Sequence, residues 1–270
     1  MTLSAERILL LGCGRMGRAM LDGWLNRGLD PSTVTVVDPM IDGSTLPDGV
    51  RLVSPADSVA LDVDLCVVAV KPQVIDDILP AYMPLARRGT AFFSIVTGKS
   101  FETLETLLGG PASVIRCMPN TPVSVGKGVI ALLANPRVSE ALKTVTGSLM
   151  EAVGTVVWLD DESQMDAVTA LSGSGPAYVF NLVEAMARAG VILGLPEELS
   201  MVLARETVVG AGALMDASPD SAATLRANVT SPGGTTAAAL EVLMDTGTGL
   251  GPLLAKAMKA AADRSNELAS

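Results

Sequence analysis

Two short runs carry residue types suited to holding small anionic molecules. Near the N-terminus, Gly12-Cys13-Gly14-Arg15-Met16-Gly17 follows the apolar run Ile8-Leu9-Leu10-Leu11. In a Gly-x-Gly-x-x-Gly turn the first glycine bends the chain and the second lets the backbone approach phosphates. The third lets the following helix pack closely on the strand. Near the other end, Ser231-Pro232-Gly233-Gly234-Thr235-Thr236 sets hydroxyls and glycines before the helix-forming run Ala237-Ala238-Ala239-Leu240-Glu241-Val242-Leu243-Met244. A helix N-terminus offers free N–H groups and the positive end of the dipole, which favour a carboxylate. The same residue types also make an ordinary hydroxyl-capped turn, so the elements around each run decide its meaning.

Around the first run those elements are in place. Ile8–Leu11 reads as a strand, and Met16, Met20, Leu21 and Trp24 recur on one face of a helix that Gly28 can stop. A second strand, Val34-Thr35-Val36-Val37, ends at Asp38, about 20 residues beyond the glycines, where a ribose-binding acid is expected. Strand, glycine turn, helix and acid together predict a dinucleotide site. Arg15 and Lys71 stand where each could touch phosphate or remain a solvated charge. Cys13 lies at a helix N-terminus, a place that can lower a thiol pKa, although a small spacer serves the turn equally well.

Composition narrows the chemistry further. The 270 residues contain no histidine, which removes serine–histidine triads, histidine bases and the commonest metal ligand. Catalysis must then come from a cofactor, hydroxyls, lysine, carboxylates or the substrate itself, and no metal is expected. A net charge of -10 argues against nucleic acid. The apolar fraction is 49%, yet no uninterrupted apolar stretch approaches the roughly 18 residues of a membrane span. Ile8–Leu11 is too short for a signal-peptide core. Cys13, Cys66 and Cys117, an odd and widely spaced set, read as reduced thiols of a cytoplasmic protein.

Further strands are predicted at Asp64–Val70, Ala91–Val96, Ser113–Cys117, Gly128–Leu133 and Gly154–Trp158, with helical stretches between most of them. The alternation predicts an α/β domain, a Rossmann-like doubly wound parallel sheet over residues 1–159. Ligands of such sheets bind at the carboxyl ends of the strands, which puts Gly12–Gly17, Asp38, Ala69-Val70-Lys71-Pro72 and Thr97-Gly98-Lys99 on one rim. From residue 160 to 270 the pattern becomes all-α, with helices expected at Tyr178–Leu193, Glu197–Met215, Thr235–Met244 and Leu250–Leu268. These helices are apolar on too many sides for a small bundle, which points to cover by another subunit.

Five segments occur in a set order: Gly12–Gly17, Ala69–Pro72, Met118-Pro119-Asn120-Thr121-Pro122, Ser172-Gly173-Ser174-Gly175-Pro176-Ala177-Tyr178 and Ser231–Thr236. In that order and spacing the chain closely resembles pyrroline-5-carboxylate reductase over essentially its whole length. The resemblance implies reduction of the cyclic imine 1-pyrroline-5-carboxylate to L-proline by NADH or NADPH, the last step of proline biosynthesis. It implies a homodimer, or a larger homo-oligomer built from dimers, through the C-terminal helical domain. It also implies that Ser231, Gly233, Gly234, Thr235 and Thr236 hold the substrate, with Thr236 in the catalytic position. Asn228, Thr97, Gly98 and the Ala69–Pro72 loop would then lie along the cofactor.

The chain departs from the family pattern in two places. Relatives that prefer NADPH place Ser or Asn-Arg after the second strand; here Asp38-Pro39-Met40 stands there, which favours the ribose hydroxyls of NADH over a 2′-phosphate. Thr97 replaces a usual Ala. An upstream substrate-contacting acid has no clear counterpart, with Asp216 and Asp220 as candidates. Two other readings use the same fold: a reductase of a different cyclic imine, and a non-catalytic dinucleotide-sensing protein. A hydroxyacid dehydrogenase is disfavoured, because Val179 stands where such enzymes carry a lysine.

Overall fold

A computed structural model describes residues 7–269; the outermost ends of the two expected domains, residues 1–6 and 270, lie outside the described residues. The chain begins with strand β1 (Ile8–Leu11), helix α1 (Arg15–Asn26) and strands β2 (Val34–Val37) and β3 (Arg51–Leu52). Helix α2 (Pro55–Ser58), strand β4 (Leu65–Val68), helices α3 (Ile75–Ile78) and α4 (Met83–Arg87), strand β5 (Ala91–Ser94) and helix α5 (Phe101–Leu107) follow. Strands β6 (Val114–Pro119) and β7 (Gly128–Ala134), helix α6 (Glu140–Glu151) and strand β8 (Gly154–Trp158) complete the sheet. Helices α7 (Met165–Val168), α8 (Gly175–Ile192), α9 (Glu197–Ala217), α10 (Ala222–Asn228), α11 (Thr235–Leu243) and α12 (Leu250–Ala269) make up the rest.

The eight strands form one sheet in the order β3-β2-β1-β4-β5-β6-β7-β8. Neighbours pair in parallel except β6 with β7, which run antiparallel with Cys117 opposite Leu132. That exception to the parallel sheet has a local cause. Between β6 and β7 the chain makes only a 3-10 turn, Thr121–Val125, closed by Gly126 at φ 69°. No crossover helix intervenes, so the chain must reverse.

Strands β1, β4, β5 and β6 are buried along their whole length, as expected of strands covered on both faces. On one face Leu10, Val36, Val67, Phe93 and Ile115 pack with Met20, Leu21 and Trp24 of α1 and Leu149 and Met150 of α6. On the other, Leu9, Leu11, Cys66, Phe92 and Val114 meet Ile75, Leu79, Tyr82, Leu85 and Leu104. The spacing that marked α1 in the sequence is therefore its buried stripe. Pro80 and Pro84 split the segment after β4 into α3, a 3-10 turn and α4.

The chain divides into two compact units. One holds the described residues up to Gly173 together with those from Ala262 onward, and the other is Ser174–Ala261. Within the second unit α8 and α9 pack closely, because Gly190 leaves room for Ser200, whose hydroxyl donates to Ala187 O at 2.7 Å. Helix α8 starts at Gly175, three residues ahead of the expected start, and α10 is a helix that the sequence pattern did not single out. Its start is marked by Ser221, which accepts the Thr224 N–H at 3.1 Å. Much apolar surface in this unit is open: Phe180 is 63% exposed, Ile192 85% and Val242 72%. Among the described residues no helix is long and apolar enough to cross a membrane.

Candidate active site

The order of the strands creates a candidate cofactor site in the first compact unit. The chain runs outward from β1 to β2 and β3, then returns to place β4 on the other side of β1. The crevice at the carboxyl ends of β1 and β4 is the switch point where open α/β sheets take ligands. The three glycines meet there, each for its own reason. Gly12 has φ +90°, and a Cβ on it would stand 2.7 Å from Ala69 O. A Cβ on Gly17 would run into Gly12 O, so the start of α1 can lie against the turn only without one. Gly14 meets nothing within 4 Å. No steric demand of the described protein requires a glycine there.

Gly14 is also the N-cap of α1, with no side chain bonded to the helix start. An uncapped helix end, with open space at the one glycine the packing does not need, is a cradle of the shape a pyrophosphate fills. The residues present therefore fit a dinucleotide. Arg15 is exposed on the first turn, whereas Met16 is half-buried and packs against the core.

Asp38, directly after β2, is half-buried and points its carboxylate back at the turn. Its Oδ2 accepts the Cys13 N–H at 2.8 Å and its Oδ1 accepts the Met40 N–H at 2.9 Å. Each oxygen keeps a free lone pair for a further donor. After β4, Ala69 and Val70 are half-buried, and Lys71 and Pro72 are exposed. After β5, Thr97 is half-buried and Gly98 is buried at φ +80°. The next residue, Lys99, pairs with Asp76 at 2.8 Å and so ties this loop to α3. Gly12–Gly17, Asp38, Ala69–Pro72 and Thr97–Gly98 thus share the carboxyl rim of four adjacent strands.

The Cys13 thiol is not activated by its place at a helix start. Burial, aided by Asp38 and Asp22, pushes its pKa up more than Arg18 pulls it down. Burial likewise pushes the Cys66 and Cys117 thiols up. All three cysteines are free and buried.

A second cluster of candidate residues lies within the other compact unit. Asn228 is the exposed last residue of α10. Ser231 O accepts the Gly234 N–H at 3.0 Å, and Gly233, at φ +69°, turns the chain into α11. Gly234 is the N-cap of that helix and supplies no side-chain cap. Among the described residues the hydroxyls of Ser231, Thr235 and Thr236 make no hydrogen bond, whereas neighbouring Thr230 donates to Arg226 O at 2.7 Å. An ordinary capped turn would have spent one of those hydroxyls on the helix. Thr236 is half-buried; Ser231 and Thr235 are exposed.

Comparison with known proteins gives a match for each part of the chain. A family model described as pyrroline-5-carboxylate reductase dimerisation matches residues 162–268, and one described as NADP oxidoreductase, coenzyme F420-dependent, matches residues 7–98. The pyrroline-5-carboxylate reductase of Pseudomonas aeruginosa is 40% identical over 99% of this chain and 98% of its own. The chain belongs to the pyrroline-5-carboxylate reductase family. The Haemophilus influenzae reductase is 35% identical, with 97% of each chain covered. Among solved structures, the reductase of Coxiella burnetii superposes with a TM-score of 0.91 at 35% identity, covering 99% of this chain and all of that one. The Plasmodium falciparum reductase with NADP bound gives 0.84 at 28% identity, with all of both chains covered.

Contacts also form among residues that the sequence did not name as site members, some of them within the segments Met118–Pro122 and Ser172–Tyr178. Asn120, 7% exposed, donates through Nδ2 to Ser172 O at 3.2 Å and accepts the Val129 N–H at 2.9 Å through Oδ1. It thereby holds the π-helical turn Thr169–Gly173 against the loop after β6. Met118 backs the same turn, its Sδ 3.3 Å from where a Cβ on Gly173 would sit. Among the described residues the buried hydroxyl of Ser172 has no hydrogen-bond partner. Arg116, in the middle of β6, pairs with Glu162 at 2.5 Å, and the same Glu162 oxygen accepts the Phe101 N–H at 2.8 Å. An arginine inside an apolar strand was the only sequence signal for this pair; its partner, 46 residues on, lay unmarked in an acidic turn.

Proposed function

We propose that this chain reduces 1-pyrroline-5-carboxylate to L-proline, with NADH or NADPH as the reductant, as its relatives are named for doing. The observation that carries this reading beyond family membership is the unspent set of hydroxyls around the uncapped start of α11. In this reading the N–H groups at that start, with Ser231, Gly233, Gly234 and Thr235, bind the substrate carboxylate. The Thr236 hydroxyl accepts the N–H of the protonated ring nitrogen and fixes which face of the imine is presented. A bound dihydronicotinamide supplies the hydride that adds to the imine carbon.

A cyclic imine is basic enough to arrive protonated. The C=N π electrons settle on nitrogen as the hydride arrives, so no further proton is needed to give the secondary amine. That balance suits a chain without histidine. The glycine turn with Arg15 and Met16, the Ala69–Pro72 and Thr97–Gly98 loops and Asn228 are assigned to cofactor binding. Asn228 apart, residues 1–159 serve the cofactor, and residues 160–270 serve the substrate and dimerisation.

Asp38 sets the proposed cofactor preference. Its carboxylate offers acceptors to two ribose hydroxyls and repels a 2′-phosphate, so NADH is used at least as well as NADPH. The open apolar faces of α8, α9 and α11 are those a second copy covers. Three free buried thiols suit a reducing cytoplasm.

The experiment is reduction of 1-pyrroline-5-carboxylate by purified protein, run in parallel with NADH and NADPH. Rapid turnover with NADH at least equal to NADPH is expected. Cofactor binding without turnover on this or any other cyclic imine overturns the catalytic reading and favours dinucleotide sensing. An NADPH efficiency far above that of NADH overturns the role given to Asp38.

A further inference from the structure

Arg18 lies one turn into α1, beyond the glycines. Its Nε donates to both oxygens of Asp22, at 2.7 and 2.9 Å, one turn further along the helix. Its Nη1 donates to Thr45 O at 2.6 Å. Because the guanidinium is planar, clamping one edge on Asp22 aims the other. The residue it reaches ends the 3-10 turn Gly43–Thr45, which Asp42 caps by accepting the Ser44 N–H at 3.1 Å. The Thr45 hydroxyl also closes back on Asp42 O at 2.6 Å.

The segment from Asp38 to Thr45 is therefore tied down at both ends. At its start Asp38 holds the Cys13 N–H in the glycine turn, and at its end Thr45 is held by Arg18. Between the two ties Met40 is 89% exposed, and half-buried Ile41 rests against the core. The ion pair itself is half in solvent, the two side chains being 40% and 44% exposed. An exposed pair of this kind adds little to global stability. Its direct contact is with the backbone of one loop.

We propose that Arg18 is a positioning residue for cofactor selection. It holds the 38–45 segment so that the Asp38 carboxylate faces the ribose, and thereby lowers the KM for NADH without touching the reacting atoms. The inference rests on the reading of Asp38 as a ribose ligand.

The test compares Arg18→Met, Asp22→Asn and Asp38→Ser with the wild type. Backbone hydrogen exchange is read on peptides spanning residues 38–46 in cofactor-free protein, and steady-state kinetics are read with both cofactors. Arg18→Met is expected to speed exchange in that segment by about fivefold or more while the rest of the sheet keeps its protection. The KM for NADH should rise about tenfold with kcat within about twofold, and the KM for NADPH should move less. Asp22→Asn, which leaves the arginine but loosens its aim, should fall between the two.

Unchanged exchange in Arg18→Met overturns the proposal, as does faster exchange with an unchanged KM for NADH. A loss confined to NADPH also overturns it, since that marks a direct contact with the 2′-phosphate. Asp38→Ser separates the two ideas. A cofactor ratio that it leaves unmoved removes the ribose role of Asp38, whereas the exchange data still report whether Arg18 orders the loop.

Discussion

The Oδ2 of Asp38 accepts the backbone N–H of Cys13 at 2.8 Å, so the acid after the second strand and the glycine turn after the first behave as one piece. The carboxylate does not wait in solvent for a ligand. It is already oriented by two backbone donors, and in the proposed reading this holds it towards the ribose. Asp38→Asn keeps one acceptor for the Cys13 N–H but removes the charge. The ratio of NADPH to NADH efficiency is expected to rise about tenfold, because the like-charge penalty on a 2′-phosphate disappears. Paired kcat/KM measurements check this, and an unchanged ratio would refute the charge argument.

The three glycines of the turn should separate into two classes. Gly12→Ala must adopt φ +90° with its Cβ against Ala69 O, and Gly17→Ala must push Gly12 O aside. Each is expected to cost on the order of 3 kcal/mol of stability. Gly14→Ala meets nothing within 4 Å and should cost less than about 1 kcal/mol. Its cofactor Kd should nevertheless rise at least tenfold. Denaturant melts of cofactor-free protein, set beside cofactor titrations, distinguish the classes.

For Arg116 and Glu162 the two single variants should differ in severity. The Arg116 side chain is 11% exposed and that of Glu162 37%. Glu162→Ala strands a mostly buried guanidinium and the Phe101 N–H, at an expected cost of about 2 kcal/mol. Arg116→Met leaves the more solvated partner behind and should cost about half as much. The double variant should then be less destabilised than the sum, which a thermodynamic cycle on urea melts reads directly.

Thr236→Ala should leave the melting temperature within about 1 °C, because its hydroxyl bonds to no other described residue. On the imine substrate kcat/KM should fall roughly 10- to 100-fold, the loss of one hydrogen bond to a charged group. Thr236→Ser should recover most of it. Full activity in Thr236→Ala would remove the hydroxyl from the mechanism.

Alkaline pH should weaken the fold. Burial raises the pKa of Cys13, Cys66 and Cys117. Above the ordinary thiol value of about 8.5 the unfolded chain loses protons that the folded chain retains, so stability falls as pH rises. Below that value the contribution is fully present. Each thiol that stays protonated only in the fold should contribute a slope of about 1.4 kcal/mol per pH unit. Urea melts between pH 7 and 10 test this, and Cys66→Ala should flatten the alkaline limb.

Features written within a few consecutive residues were legible in the sequence. The glycine turn, the apolar strands, the stripe of Met20, Leu21 and Trp24, the proline break at Pro80 and Pro84 and the Ser231–Thr236 turn all follow from local sterics and periodicity. Such rules need no knowledge of what lies across the fold. What lay across it was decided by tertiary structure alone. The sheet order, with β4 returned to the far side of β1, is of this kind; the antiparallel β6–β7 pair and helix α10 have local causes, a short loop and a Ser cap, that periodicity does not register.

The same division runs through the site. Which residue types suit a dinucleotide was readable, but that Gly14, of the three turn glycines, faces open space required the packing of Ala69 and Gly12 around its neighbours. Asp38 was marked by its distance from the glycines. Its bond to Cys13, the reach of Arg18 to Thr45 and the pairing of Arg116 with Glu162 were not marked, because these partners lie 25, 27 and 46 residues apart. Local pattern specifies which groups a chain carries and where each element begins. Only the folded chain brings groups distant in sequence within the few ångströms at which a hydrogen bond or a charge has effect.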